Sequence, residues 1–184
     1  MTRPTLLFLL LSFSLMVSCS DAVKTPKKEA QTGVISTNFG TIKFHLHPET
    51  KNHKAAFIKL ANEKHYDQFH FNRVIKDFVI QGGCPDLPEY FENSPHLLNP
   101  EFLPQYKHQY GAVGMGRDNN PEKQSNACQL YIVSNKSGLP RLDGDYMIFA
   151  QVFEGFDVLE QIQNLETDSL DQPLEHVDMR VWVE

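Results

Sequence analysis

Cysteine is scarce in this chain, with three in 184 residues, Cys19, Cys84 and Cys128. Basic residues are outnumbered too: 17 Lys and Arg face 23 Asp and Glu, giving a formal net charge of −6. They form no concentrated patch that could track a phosphate backbone, so nucleic acid is not an expected partner. No apolar run approaches the roughly 20 residues a spanning helix needs. Internal repeats and low-complexity tracts are missing as well. The eight histidines are scattered. His45 and His47 would share a strand face, but spacing fixes no third ligand, so neither a metal nor a cofactor is expected.

What is present begins at the N-terminus. Arg3 is followed by the short apolar stretch Leu6 to Val17, which ends in small residues before Cys19. This is the form of a secretory leader, not of a membrane span. Leu15-Met16-Val17-Ser18-Cys19 resembles a bacterial lipobox, in which the cysteine is lipidated and becomes the new N-terminus. The expectation is a leader over residues 1–18, a lipidated Cys19, and a polar tether over 19–31 lacking hydrophobic periodicity. That places the protein in the bacterial cell envelope, anchored by lipid. Ser20, with no acidic residue directly after the cysteine, favours the outer membrane over the inner one. Removing 18 of 184 residues leaves 166, enough for one domain, placed at 32–184. Cys84 and Cys128 would then lie where a disulfide persists, but nothing in the sequence makes them meet. They are expected to be two small, partly buried side chains.

The domain reads as short strands. Gly33–Thr37 and Thr41–Leu46 flank the turn Asn38-Phe39-Gly40, with Ile42, Phe44 and Leu46 alternating against polar neighbours. Further runs are expected at 69–75, 78–81, 112–115, 129–133, 147–153 and 177–183. Helical spacing predicts a helix over 51–64, through Phe57, Leu60 and Ala61, and a second over 155–163. Many short strands with few helices point to a closed or nearly closed barrel. In the stretch Phe71 to Gly83, period-two alternation puts Arg73 and Ile75 on one face of the first strand. In the second it puts Phe78 and Ile80 on one face and Val79 and Gln81 on the other. Taken alone, that is a buried hairpin with one solvent-facing arginine.

Four ordered segments change the reading: Asn38-Phe39-Gly40-Thr41-Ile42-Lys43, Phe71 to Gly83, Gln129-Leu130-Tyr131-Ile132-Val133, and Leu142 to Ala150. Together they resemble the cyclophilin family of peptidyl-prolyl isomerases, across residues 32–184. The resemblance implies a mainly β fold, a closed eight-stranded antiparallel β-barrel capped by two α-helices, with a proline-binding groove on its outer surface. Matched residue by residue, it implies catalytic roles for Arg73, Phe78 and Gln81. It assigns substrate contacts to Val79, Gly116, Arg117, Gln129, Tyr131, Leu142 and Tyr146.

The chain departs from the family pattern in several places. Asn72 stands for the usual histidine, Val79 for methionine, Arg141 for tryptophan, and Gly116-Arg117 for alanine-asparagine. Tyr131 stands for phenylalanine, bringing a hydroxyl that must find a partner or stay wet. Cys84 replaces an acidic residue, and the proline-rich stretch 85–104 replaces a glycine-rich loop.

The residue types suit amide rotation. In the twisted transition state the lone pair returns to the prolyl nitrogen, which becomes a better hydrogen-bond acceptor. A donor aimed there stabilises the transition state over both ground states, and a guanidinium offers several donors in one plane. The expected partners are therefore proline-containing polypeptides, exported or resident in the envelope. The alternatives are a proline-segment binding module with little turnover and a structural lipoprotein; Arg73, Phe78, Gln81 and Gln129 favour the isomerase.

Overall fold

The computed structural model of the protein describes residues 31–184. The leader, Cys19 and all but the last residue of the tether lie outside the described residues. Strands β1 (Thr32–Thr37) and β2 (Gly40–Leu46) form the first hairpin, followed by helix α1 (Lys51–Asn62). Next come β3 (Phe71–Ile75), β4 (Val79–Gly83), the one-turn helix α2 (Pro88–Phe91) and β5 (Leu97–Leu98). The rest is β6 (Ala112–Met115), β7 (Ser125–Asn126), β8 (Gln129–Val133), β9 (Met147–Glu154), α3 (Phe156–Gln163) and β10 (Arg180–Val183).

Eight strands form one antiparallel sheet in the order β10-β1-β2-β9-β6-β8-β4-β3, and β5 pairs with β7 apart from it. The expected closed barrel needs correction. The sheet is a strongly curled half-barrel, open between β3 and β10. The gap is filled by the segment before β10, which is irregular and includes Asp171 at a φ of 64°, outside the extended region. This segment lies along β3. Phe71 N–H donates to Val177 O at 3.1 Å, Val74 N–H to Asp171 O at 2.8 Å, and His70 and Asp178 form a single bridge. The last strand accordingly starts at Arg180, not at Val177. Two helices were expected and both are there; α2 is a third.

The strands sort their side chains with period two. On β8, Leu130 and Ile132 join the interior cluster with Ile35, Phe44, Phe57, Phe71, Ile80 and Phe149. Tyr131 and Val133 belong to a second, outer cluster with Val79, Ala112, Leu139, Leu142 and Ile148, against which Phe78 and Tyr146 pack. α3 buries Val158, Leu159 and Ile162, and α1 buries Phe57, Leu60 and Ala61. The outer cluster matters for function, because it is the apolar wall of the groove described below.

Cys84 and Cys128 are joined in a disulfide with Cα atoms 5.5 Å apart, contrary to the expectation of two separate thiols. Strand register explains the meeting. Gly83 is the partner of Gln129 across β4 and β8, so the residue after the first and the residue before the second face each other just beyond the ladder. Closing a loop over a sequence separation of 44 contributes about 4 kcal/mol in the chain-entropy treatment. Among the described residues no helix is long and apolar enough to cross a membrane.

Candidate active site

A three-residue turn, Lys76-Asp77-Phe78, joins β3 to β4, with Asp77 at φ 54°. Phe78 therefore leaves strand periodicity. It does not share the inward face of Ile80, as alternation implied, and packs with the outer cluster. Arg73 is the direct cross-strand partner of Gln81, and Ile75 of Val79. A guanidinium, an amide and an apolar wall thus share one face of a hairpin.

That face lines a groove of about 540 Å³. Arg73, Phe78, Val79 and Gln81 come from the hairpin, Gly116 and Arg117 from the end of β6, Gln129 and Tyr131 from β8, and Leu142 and Tyr146 from the turn before β9. All ten residues named from the sequence are brought together. The groove also takes Asp86, Leu87, Pro88, Phe91 and Glu92 from the stretch after Cys84, with Asp118 and Arg141. Sequence reasoning left that edge unspecified because residues 85–104 carry no period and no family pattern. Arg141 lies with its guanidinium 4.8 Å from the Phe78 ring centroid.

The polar groups are held as follows. Arg73, 34 % exposed at its side chain, has Nε 3.5 Å from Asp171 Oδ2; an ion pair this exposed is worth at most about 1 kcal/mol. Arg117 donates from Nε to Asp118 O and from Nη1 to Asp145 O, at 3.0 and 2.9 Å, and lies 5.2 Å over the Tyr146 ring. Gln81 Nε2 donates to Asp86 Oδ2 at 3.0 Å. Gln129 Nε2 donates to Asp86 Oδ1 at 2.7 Å and to Cys84 O at 3.0 Å. A Cβ at Gly116 would overlap Gln129 Oε1 as that side chain is now placed.

The Tyr131 hydroxyl does find a partner. It lies 2.8 Å from His108 Nε2, whose Nδ1 is 2.8 Å from Asp143 Oδ1. A carboxylate facing Nδ1 fixes the proton there, leaving Nε2 to accept from the tyrosine. Burial holds the His108 imidazole below its ordinary value, outweighing the hydrogen bond and charge of Asp143 that act the other way. Burial likewise pushes the Tyr131 phenol well above the usual range. Neutral imidazole and neutral phenol thus form the support beneath an apolar wall. His108 was one of eight scattered histidines, and no spacing rule singled it out.

Comparison with known proteins agrees with this architecture. Residues 33–183 match the family model described as cyclophilin type peptidyl-prolyl cis-trans isomerase/CLD, so the chain belongs to the cyclophilin-type peptidyl-prolyl cis-trans isomerase family. Peptidyl-prolyl cis-trans isomerase 9 of Schizosaccharomyces pombe is 32 % identical over 148 residues, 79 % of this chain and 24 % of that protein. The chain thus spans about a quarter of that relative's length. Peptidyl-prolyl cis-trans isomerase CYP18-2 of Arabidopsis thaliana is 30 % identical over 124 residues, 66 % of this chain and 73 % of that one. Among solved structures, a cyclophilin type peptidyl-prolyl cis-trans isomerase of Cryptosporidium parvum superposes with a TM-score of 0.73. It is 26 % identical, over 84 % of this chain and 98 % of that chain. A second crystal structure of that protein, in the presence of the dipeptide Ala-Pro, gives a TM-score of 0.72.

Proposed function

We propose that this isomerase acts on X-Pro bonds of exported or envelope polypeptides, with Arg73 as the hydrogen-bond donor to the prolyl nitrogen in the twisted transition state. The observation that carries the reading is the convergence of ten residues, from separate segments, on one groove that is apolar at one end and polar along its side. Phe78, Val79, Tyr131 and Leu142 hold the pyrrolidine ring. Gly116, Arg117 and Gln129 hold the backbone on one side of the rotating bond, Tyr146 closes the end, and Gln81 lies across from Arg73 to orient it. With one half fixed, the other turns. No nucleophile or metal takes part, so rate comes from a contact made best in the transition state.

The test is NMR exchange between cis and trans forms of a short X-Pro peptide, with residues 20–184 as wild type and as Arg73→Ala. Exchange should slow by about 10²-fold or more in the variant, with peptide affinity changed far less. Equal exchange in both proteins would remove Arg73 from the mechanism, and binding without acceleration in the wild type would make the groove a recognition site only.

Anchoring in the envelope through lipidated Cys19 is part of the same proposal. It is supported by the lipobox-like run and by a disulfide of the kind that persists in oxidising compartments. Metabolic labelling with a tagged fatty acid should mark the wild-type protein and not Cys19→Ala, and fractionation should then place the label in the outer membrane.

A further inference from the structure

The two groove glutamines end on one carboxylate. Gln81 lies on β4 and Gln129 on the neighbouring β8, on the same face, and Asp86 reaches them from the loop after Cys84. Its Oδ2 accepts from Gln81 Nε2 at 3.0 Å and its Oδ1 from Gln129 Nε2 at 2.7 Å. A carboxylate has no donor, so the nitrogen end of each carboxamide must face it. Both glutamines are buried, and among the described residues the Asp86 contact is the one hydrogen bond of the Gln81 side chain. The loop that presents Asp86 is pinned beside them: Cys84, two residues earlier, is bonded to Cys128, which immediately precedes Gln129, and Cys84 N–H donates to Cys128 O at 3.0 Å.

We propose that Asp86 is a positioning residue that sets the polarity of the groove, an inference resting on the reading of that groove as the X-Pro site. Taking both NH₂ ends turns both carbonyl oxygens away from the loop. The Gln81 oxygen becomes the free end of an amide directly across from Arg73, able to accept from the guanidinium and hold its remaining donors on the prolyl nitrogen. The Gln129 oxygen is set beside Gly116, in space that a Cβ there would enter, and becomes an acceptor for a peptide N–H. Without the carboxylate the Gln81 amide can turn over about its last torsion, while Gln129 loses one of its two acceptors and keeps the Cys84 carbonyl at 3.0 Å. An NH₂ group facing Arg73 would repel the donor it should orient. The departure at Gly116 and the acidic residue in the rebuilt loop are thereby parts of one arrangement.

The experiment compares wild type, Asp86→Ala and Asp86→Asn by peptide exchange and by the side-chain amide signals of Gln81 and Gln129. Asp86→Ala should lower kcat about 10-fold or more through misplacement of the reacting groups, with KM changed less. Asp86→Asn, which offers one acceptor and one donor, can orient only one glutamine and should fall between. Both glutamine NH₂ signals should move in Asp86→Ala. Removing Asp86 from a Gln81→Ala, Gln129→Ala background should cost nothing more. Wild-type kcat in Asp86→Ala, unmoved glutamine signals, or an equal loss in the background without the glutamines would each overturn the proposal. If the wild type itself proves inactive, the X-Pro reading fails. The glutamine signals then still decide whether Asp86 orients them.

Discussion

Single side chains here were legible where a strand carried them and obscure where a loop did. Arg73, Gln81, Gln129 and Tyr131 sit on strands whose alternation is visible in the sequence, and register then places them together. Alternation alone put Phe78 on the face of Ile80, and it failed there because a turn residue has no period. Asp86 and Asp171, which reach the glutamines and the arginine, come from loops where neither spacing nor resemblance gave a signal. The buried link from Tyr131 to His108 invites a separate measurement. Tyr131→Phe deletes the hydroxyl and leaves His108 Nε2 buried with no partner, since among the described residues that hydroxyl is the one group bonded to it. Unfolding in urea should show a loss of about 1–3 kcal/mol. Because the ring, not the hydroxyl, forms the apolar wall, peptide exchange should continue at near wild-type rate.

At the scale of elements, the strands of the main sheet and both long helices follow from periodicity, while α2 does not: four residues beginning at Pro88 are too short to show one. The start of α1 falls at Lys51, where the helical spacing placed it, but its cap could not be read, because it comes from far along the chain. Thr50, at the N-cap, makes no side-chain capping bond. Glu101 supplies it from the loop, accepting from Asn52 N–H at 3.1 and 3.0 Å and from His53 N–H at 3.0 Å, while also binding His53 Nδ1 at 2.6 Å. Burial works to raise the Glu101 carboxyl, but hydrogen bonds from the His53 ring and from both backbone amides bring it below its ordinary value. Glu101→Ala removes a cap and strands a buried imidazole. The expected loss is about 2–3 kcal/mol in denaturant unfolding. Glu101→Gln, which keeps an acceptor, should lose less.

For the whole molecule, two imidazoles buried in the neutral form give stability a definite dependence on pH. Burial is the main cause that keeps His53 and His108 below their ordinary value, so the unfolded chain takes up protons first as pH falls. Stability is therefore full above about pH 6.5 and declines below it, by at most about 1.4 kcal/mol per pH unit for each histidine. Asp143, whose carboxyl is raised by burial but lowered further by its bonds to His108, adds to the decline at lower pH. Urea midpoints measured from pH 7.5 to 5 should fall steadily, and more gently in His108→Gln. Reduction of Cys84–Cys128 should lower stability by about 2–4 kcal/mol, read as a drop in the thermal midpoint on adding dithiothreitol. Whether the sheet closes was beyond the sequence, because the chain over 171–178 that runs along β3 is irregular and carries no apolar period. The open margins are nevertheless spoken for: the outward amides of Phe71 and Val74 on β3 are taken by Val177 and Asp171, and that of Val181 on β10 by Asp67. A visiting chain finds no unfilled ladder at those amides to zip onto. On the proposed reading of the groove, a polypeptide is held there through a proline ring in a pocket and a few backbone contacts, and not by adding a strand at those amides.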